Sequence, residues 1–151
     1  MRLWRISSFT DLSGRGGIIS AGRWNFKDTP VVYCADHPAT ALLEILVHID
    51  ADDLPPTYQL LEIQAPDTVS ISVPDLPSNW RDDLAATRQI GTNFISAGKR
   101  AVMEIPCVIV PFTKNYLLNP ALLGRDGIGV VSATAHPIDA RLLRCGSQPA
   151  H

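Results

Sequence analysis

Glu44 is the one acidic residue in the run Pro38-Ala39-Thr40-Ala41-Leu42-Leu43-Glu44-Ile45-Leu46-Val47-His48-Ile49, with a leucine before it and an isoleucine after it. Read as a helix, the run is apolar nearly all round, so the helix carrying Glu44 is expected to be buried. A carboxylate taken out of water is costly unless it is paired, hydrogen-bonded or protonated. Glu44 is therefore either half of a structural ion pair or a group kept for chemistry. In the second case a fixed negative charge would steady positive charge that develops during a reaction. His48 lies one turn further along the same face. A lone Glu-x-x-x-His pair lacks the further ligands of a zinc site. The preferred reading is a histidine hydrogen-bonded beside the carboxylate, and no metal is expected.

Gly22-Arg23-Trp24-Asn25 is the second segment of interest. The guanidinium of Arg23 offers a rigid fork of donors that suits phosphate oxygens. Glycines at positions 14, 16, 17 and 22 would let the backbone approach such a ligand closely. Neither GxGxxG nor GxxxxGK[ST] occurs, so the two common phosphate-cradling motifs are absent. Taken alone, Arg23 reads as an ordinary surface or ion-pairing arginine more often than as a ligand group. Tyr33 can stack on a flat ring or fill the core. Cys107, after Pro106, is either a small buried hydrophobe or a thiol bordering a site. No neighbour in sequence lowers its pKa, which argues against a Cys–His nucleophile.

Around these residues the chain is punctuated by 12 prolines and 10 glycines, a pattern of many short elements. Leu3–Ile6, Val31–Ala35, Tyr58–Gln64, Val69–Val73, Val102–Ile105, Val108–Val110, Ile128–Ser132 and Arg141–Leu143 read as strands. Asp36 reads as the N-cap of a helix reaching Ile49, with Pro38 in its first turn. A second helix spans Arg81–Ser96, with Gly91 interrupting it or capping a first piece. Asn115–Pro120 reads as loop, and Gly146–His151 as a loose tail. Strands outnumber helices without alternating with them, which favours α+β over a doubly wound parallel sheet.

The 151 residues suit one domain, placed at 1–145 with the tail at 146–151, and 46% hydrophobic with 19% charged residues fits a soluble globular chain. A formal net charge of -2 argues against broad binding to nucleic acid or an anionic membrane. No segment approaches the roughly 20 apolar residues of a membrane helix, and Met1–Thr10 lacks the apolar stretch of a signal peptide. Cys34, Cys107 and Cys145 are odd in number and lack metal-type spacing, so three reduced thiols in the cytoplasm are expected.

Several segments in order resemble the RES domain, a family named for an arginine, a glutamate and a serine. These are Leu3-Trp4-Arg5-Ile6, Gly22-Arg23-Trp24-Asn25, Val31-Val32-Tyr33 and Ala41-Leu42-Leu43-Glu44 through His48. Pro106-Cys107-Val108-Ile109-Val110-Pro111, Asn115-Tyr116-Leu117-Leu118-Asn119-Pro120 and Asp139-Ala140-Arg141-Leu142 follow, so the likeness spans nearly the whole chain. The resemblance implies a single α+β domain, ADP-ribosyltransferase-like, with mixed or antiparallel sheets, a buried helix and a cleft for NAD+. It implies a bacterial toxin partnered by an Xre-like antitoxin, with a homodimer as a further association. NAD+ would be substrate, and no cofactor is expected. Such toxins hydrolyse or phosphorolyse NAD+ at the nicotinamide–ribose bond, and some relatives transfer ADP-ribose to protein. Carried over by position, Arg23, Tyr33 and Glu44 are the catalytic set. Arg5, Trp24, Asn25 and Cys107 are the substrate-binding set. Cys107 stands where the family has serine, and it is a poorer hydrogen-bonding group of nearly equal size. That departure bears on catalytic competence, and a module that only binds an antitoxin is the alternative.

Overall fold

The first strand, β1 (Arg2–Ser7), buries Leu3 on one face and Ile6 on the other, the pattern of a strand covered on both sides. In the computed structural model, which describes residues 1–49, 53 and 55–146, β1 belongs to a seven-stranded sheet. The remaining strands are β2 (Val32–Ala35), β3 (Thr57–Gln64), β4 (Ile71–Ser72), β5 (Val102–Pro106), β6 (Lys114–Leu118) and β7 (Gly129–Pro137). Their order is β4-β5-β6-β2-β1-β3-β7. Five of the six pairings are antiparallel, and only β4 and β5 run parallel. The parallel pair needs a crossover, supplied by α3 (Leu84–Ala97). The architecture is α+β in one mixed sheet.

The sheet is weakest where it matters most. β1 and β2 share a single registered pair, Trp4 with Ala35, whereas β1 and β3 share six. The helix α2 (Pro38–His48) packs over this seam, with Ala41 against Ile6 and Ala35 in one core cluster. The helix α3 covers a second cluster of Trp24, Phe94, Met103, Ile105 and Leu117. Ala35 stands opposite Asn115, and Asn115 opposite Ile105, so α2 and α3 share one face of the sheet with Asn115 between their footprints.

Several expectations need correction. Asn115–Pro120 is no loop: β6 is buried from Asn115 to Leu118, and Asn119 then caps a 3-10 turn at Pro120–Leu122. Val108–Val110 bends instead of extending, and the turn after it places Phe112 at φ 66 with its ring wholly exposed. Arg141–Leu143 lies in a 3-10 helix, Ala140–Gly146, and the strand expected at Val69–Val73 shrinks to Ile71–Ser72. A short helix, α1 (Arg15–Ile19), forms within the glycine-rich stretch. His37, not Asp36, caps α2: its Nδ1 accepts from the Ala39 N–H at 3.1 Å, while Asp36 accepts from the Lys114 N–H and the Thr40 hydroxyl.

Two helix readings also change. Gly91 neither breaks nor caps α3, because it is buried within a continuous helix that touches the Trp24 carbonyl. Nor is α2 buried all round. Only Thr40 and Ala41 are fully covered, and Leu43 and Val47 face outward. One side of the helix covers the seam, and no described residue covers the other. Of the expected tail, residues 147–151 lie outside the described part.

Candidate active site

Where β1 and β2 part, a cleft of about 640 Å³ opens beneath α2 and beside the loop after α1. That volume is in the usual range for small-molecule sites. Arg5, Arg23, Trp24, Tyr33 and Glu44 all line it, together with His48 and Asn115. The elements explain the convergence. β1 supplies Arg5, β2 supplies Tyr33, α2 supplies Glu44 and His48, and the loop supplies Arg23 and Trp24.

Glu44 is only part-buried, its side chain 28% exposed at the cleft. Its Oε1 accepts from Asn115 Nδ2 at 2.7 Å and from Cys107 Sγ at 3.3 Å. His48 Nε2 stands 3.7 Å from Oε2, a charge contact beyond hydrogen-bond reach. Burial pushes the Glu44 carboxyl up, but His48, Asn115 and Cys107 outweigh it and hold it below the ordinary 4.5. The His48 imidazole is raised above 6.5 by Glu44, against burial and the Arg23 charge. The site therefore keeps a negative carboxylate at neutral pH.

Tyr33 plays a structural part that its position in sequence does not suggest. Its hydroxyl donates to Asn25 Oδ1 at 2.7 Å and accepts from the Trp24 N–H at 3.0 Å. Burial pushes this phenol up to about 12, so it stays neutral and keeps its donor proton. Asn25 is 1% exposed and wholly engaged: Nδ2 donates to the carbonyls of Gly17, Ser20 and Phe26, and Oδ1 also accepts from the Gly22 N–H. Asn25 thus shapes the loop and does not reach into the cleft. Trp24 is buried in the core beside Trp80, with ring centroids 6.0 Å apart, and also lines the cleft.

The two arginines are held differently. Arg5 Nη1 donates to the Tyr33 carbonyl at 2.9 Å, bridging the parted strands. Arg23 Nη1 donates to the Arg81 carbonyl at 3.2 Å, and the half-buried residue lines the cleft. Sequence reasoning missed the groups on α3 that fix this loop. Thr87 Oγ1 donates to the Arg23 carbonyl at 2.7 Å and Arg88 Nε to the Gly22 carbonyl at 2.8 Å. It also missed Asn115, although a polar residue opening the apolar run Tyr116-Leu117-Leu118 carries the same signal as Glu44 inside its helix.

Cys107 is buried, free and hydrogen-bonded to Glu44. A second concavity, about 690 Å³, lies near the start of β5 among Lys99, Arg100 and Arg125. It is open, and Asp126 already pairs with Arg125 at 2.7 Å. Of these two concavities, the Glu44 cleft is the one that brings a carboxylate, a histidine and two arginines together.

An α+β sheet parted over a cleft that one ionised carboxylate and two arginines line is the class of site this chain presents. Comparison with known proteins gives the class a family: the RES domain profile matches residues 2–137, and the chain belongs to that family. It is 46% identical over 123 residues to a protein named Toxin Res from Pseudomonas putida, covering 80% of this chain and 85% of that one. Identity to the Prs ADP-ribosylating toxin of Sphingobium sp. is 34% over 154 residues, covering 93% and 96%. The fold matches a chain of the crystal structure of the M. tuberculosis MbcT–MbcA toxin–antitoxin complex with a TM-score of 0.69. That match has 16% identity and covers 90% of this chain and 84% of the other.

Proposed function

We propose that this chain is the toxin of a toxin–antitoxin pair and that its cleft breaks the nicotinamide–ribose bond of NAD+. The observation that carries the reading is the Glu44 carboxylate, kept ionised by Asn115, Cys107 and His48 in a cleft that Arg5 and Arg23 also line. When the C–N bond breaks, its electron pair goes to the pyridinium nitrogen and nicotinamide leaves neutral, so no strong acid is needed. Positive charge develops on the ribose, as in glycoside hydrolysis. A carboxylate held ready beside that sugar stabilises the charge without reorganising. Arg23, with Arg5 deeper in, grips the pyrophosphate.

Water that attacks the ribose carbon forms the new C–O bond, loses its proton to solvent and gives ADP-ribose. Inorganic phosphate gives the phosphorylated sugar. A protein side chain as acceptor is the second reading, supported by the likeness to an ADP-ribosylating toxin. The alternative is a module that only binds its partner, favoured by Cys107 in the serine's place and opposed by Arg23, Tyr33 and Glu44 lining one cleft. The partner expected is an Xre-like antitoxin, in keeping with the toxin–antitoxin complex that the fold matches.

The test is incubation of the purified chain with NAD+, with and without phosphate, and identification of the products by mass. Free nicotinamide with ADP-ribose or its phosphate supports the proposal. Release only when a protein acceptor is present favours transfer, and intact NAD+ in every arm rejects both.

A further inference from the structure

Three asparagines are buried among the described residues: Asn25, Asn115 and Asn119. An asparagine amide brings two donor protons and a carbonyl acceptor, and burial makes an unused end expensive. Asn25 uses both ends within its loop. Asn119 does the same, donating to the Ile95 carbonyl at 3.1 Å and accepting from the Ala121 N–H at 3.1 Å. Asn115 does not. Its Nδ2 donates to Glu44, but its Oδ1 is buried with no partner.

The orientation of this amide is chemically determined. An ionised carboxylate only accepts, so the nitrogen must face Glu44 and the oxygen must point away. Among the described residues one other buried side-chain nitrogen or oxygen lacks a partner, Arg5 Nε, and Arg5 lines the same cleft. Buried polar atoms are paired almost everywhere in proteins. Asn115 Oδ1, an acceptor left over on a residue that lines the cleft, is matched by a ligand that brings a donor of its own.

We propose that Asn115 is a substrate-positioning residue whose Oδ1 accepts a hydrogen bond from a ribose hydroxyl while its Nδ2 holds Glu44. This rests on the NAD+-cleaving reading of the cleft. One side chain would thus set the distance between the carboxylate and the sugar on which charge develops. The site would select a hydroxylated sugar, because a ligand lacking that hydroxyl leaves the buried carbonyl unsatisfied. Position 115 suits the task, since it lies mid-sheet, opposite both Ala35 and Ile105.

The experiment compares NAD+ with two analogues, each lacking one ring hydroxyl of the nicotinamide-bearing ribose, on wild type, Asn115→Ala and Asn115→Asp. Affinity and turnover are measured, with melting curves to show that each variant is folded. Wild type is expected to bind one analogue about 10- to 100-fold more weakly than NAD+. In Asn115→Ala that penalty should fall to a few-fold. Asn115→Asp, nearly isosteric, keeps an acceptor but sets a second carboxylate beside Glu44. It should move the acid limb of the pH–rate profile to higher pH, because like charges oppose ionisation. A structural asparagine would lower the melting temperature and leave the analogue penalty unchanged, whereas the shift of the acid limb reports only that position 115 lies beside Glu44. Equal analogue penalties in wild type and a folded variant, or no penalty in wild type, overturn the proposal while NAD+ cleavage stands. A wild type that neither binds nor cleaves NAD+ overturns the functional reading itself.

Discussion

The Gly22–Asn25 loop and the Glu44–Asn115 pair form parts of the same cleft, yet they treat their polar atoms in opposite ways. In the loop, Tyr33, Thr87 and Arg88 meet the Trp24 N–H and the Arg23 and Gly22 carbonyls, and Asn25 spends its whole amide. Around Glu44, a carboxylate is left part-exposed and a buried carbonyl has no partner. The saturated region gives shape, and the unsaturated region has capacity left for a ligand. Residue type alone does not separate them: Asn25 and Asn115 are the same amino acid with opposite employment.

The comparison breaks first at Gly91. A Cβ there would overlap the backbone carbonyl of Trp24, so the loop or α3 must move. Gly91→Ala should cost about 3 kcal/mol. For a domain of this size that lowers the melting temperature by about 10 °C. Gly98→Ala makes a useful control, since φ 59 strains the alanine but nothing lies nearby. It should cost about 1 kcal/mol. Equal melting temperatures for the two variants would show that the loop is not pinned by α3.

Tyr33→Phe probes the same region more gently. It strips one partner each from Asn25 Oδ1 and the Trp24 N–H and should cost about 2 kcal/mol in urea unfolding. NAD+ affinity should suffer more than turnover, because the loop carries Arg23 and not the carboxylate. A variant with normal stability and no turnover would instead make the phenol part of the chemistry.

For the Glu44 side, pH gives a smaller, signed effect. Glu44 is held below its ordinary 4.5, so its contribution is present above that value and lost as pH falls through the lower folded pKa. His48 is raised above 6.5, so its contribution is present below that value and lost as pH rises through the higher folded pKa. The stability difference between wild type and His48→Gln should therefore be greatest between pH 4.5 and 6.5. Salt should shrink it, because His48 is 69% exposed. A difference that does not vary with pH would remove the pair from the account. Smallest of all is Cys107→Ser, a better donor to Glu44 of similar size, which should keep or modestly raise NAD+ turnover. Complete loss would give the thiol a role of its own.

Much of this cleft was legible from single residues out of place. Glu44 in an apolar helix and the Gly22–Asn25 segment are anomalies that composition exposes, and the α+β class follows from strands that do not alternate with helices. What stayed hidden depends on pairing across the sheet. Asn115 read as the start of a loop because asparagine is depleted in strands, and its burial comes from lying between β2 and β5. Gly91 read as a helix breaker because its reason is the carbonyl of Trp24, far away in sequence. The exposed side of α2 was read as buried because an apolar run reports preference, not the presence of a neighbour.

The central claim is that the charge of Glu44, and not merely its presence, drives cleavage. Glu44→Gln keeps size and most hydrogen bonding while removing that charge. NAD+ cleavage, NAD+ affinity and thermal stability should be measured on one preparation of this variant. Turnover should fall about 100-fold, the typical cost of losing one preorganised electrostatic group. Affinity should change far less, because the bound substrate has not yet developed charge on its sugar. A folded Glu44→Gln protein with full turnover would contradict the account.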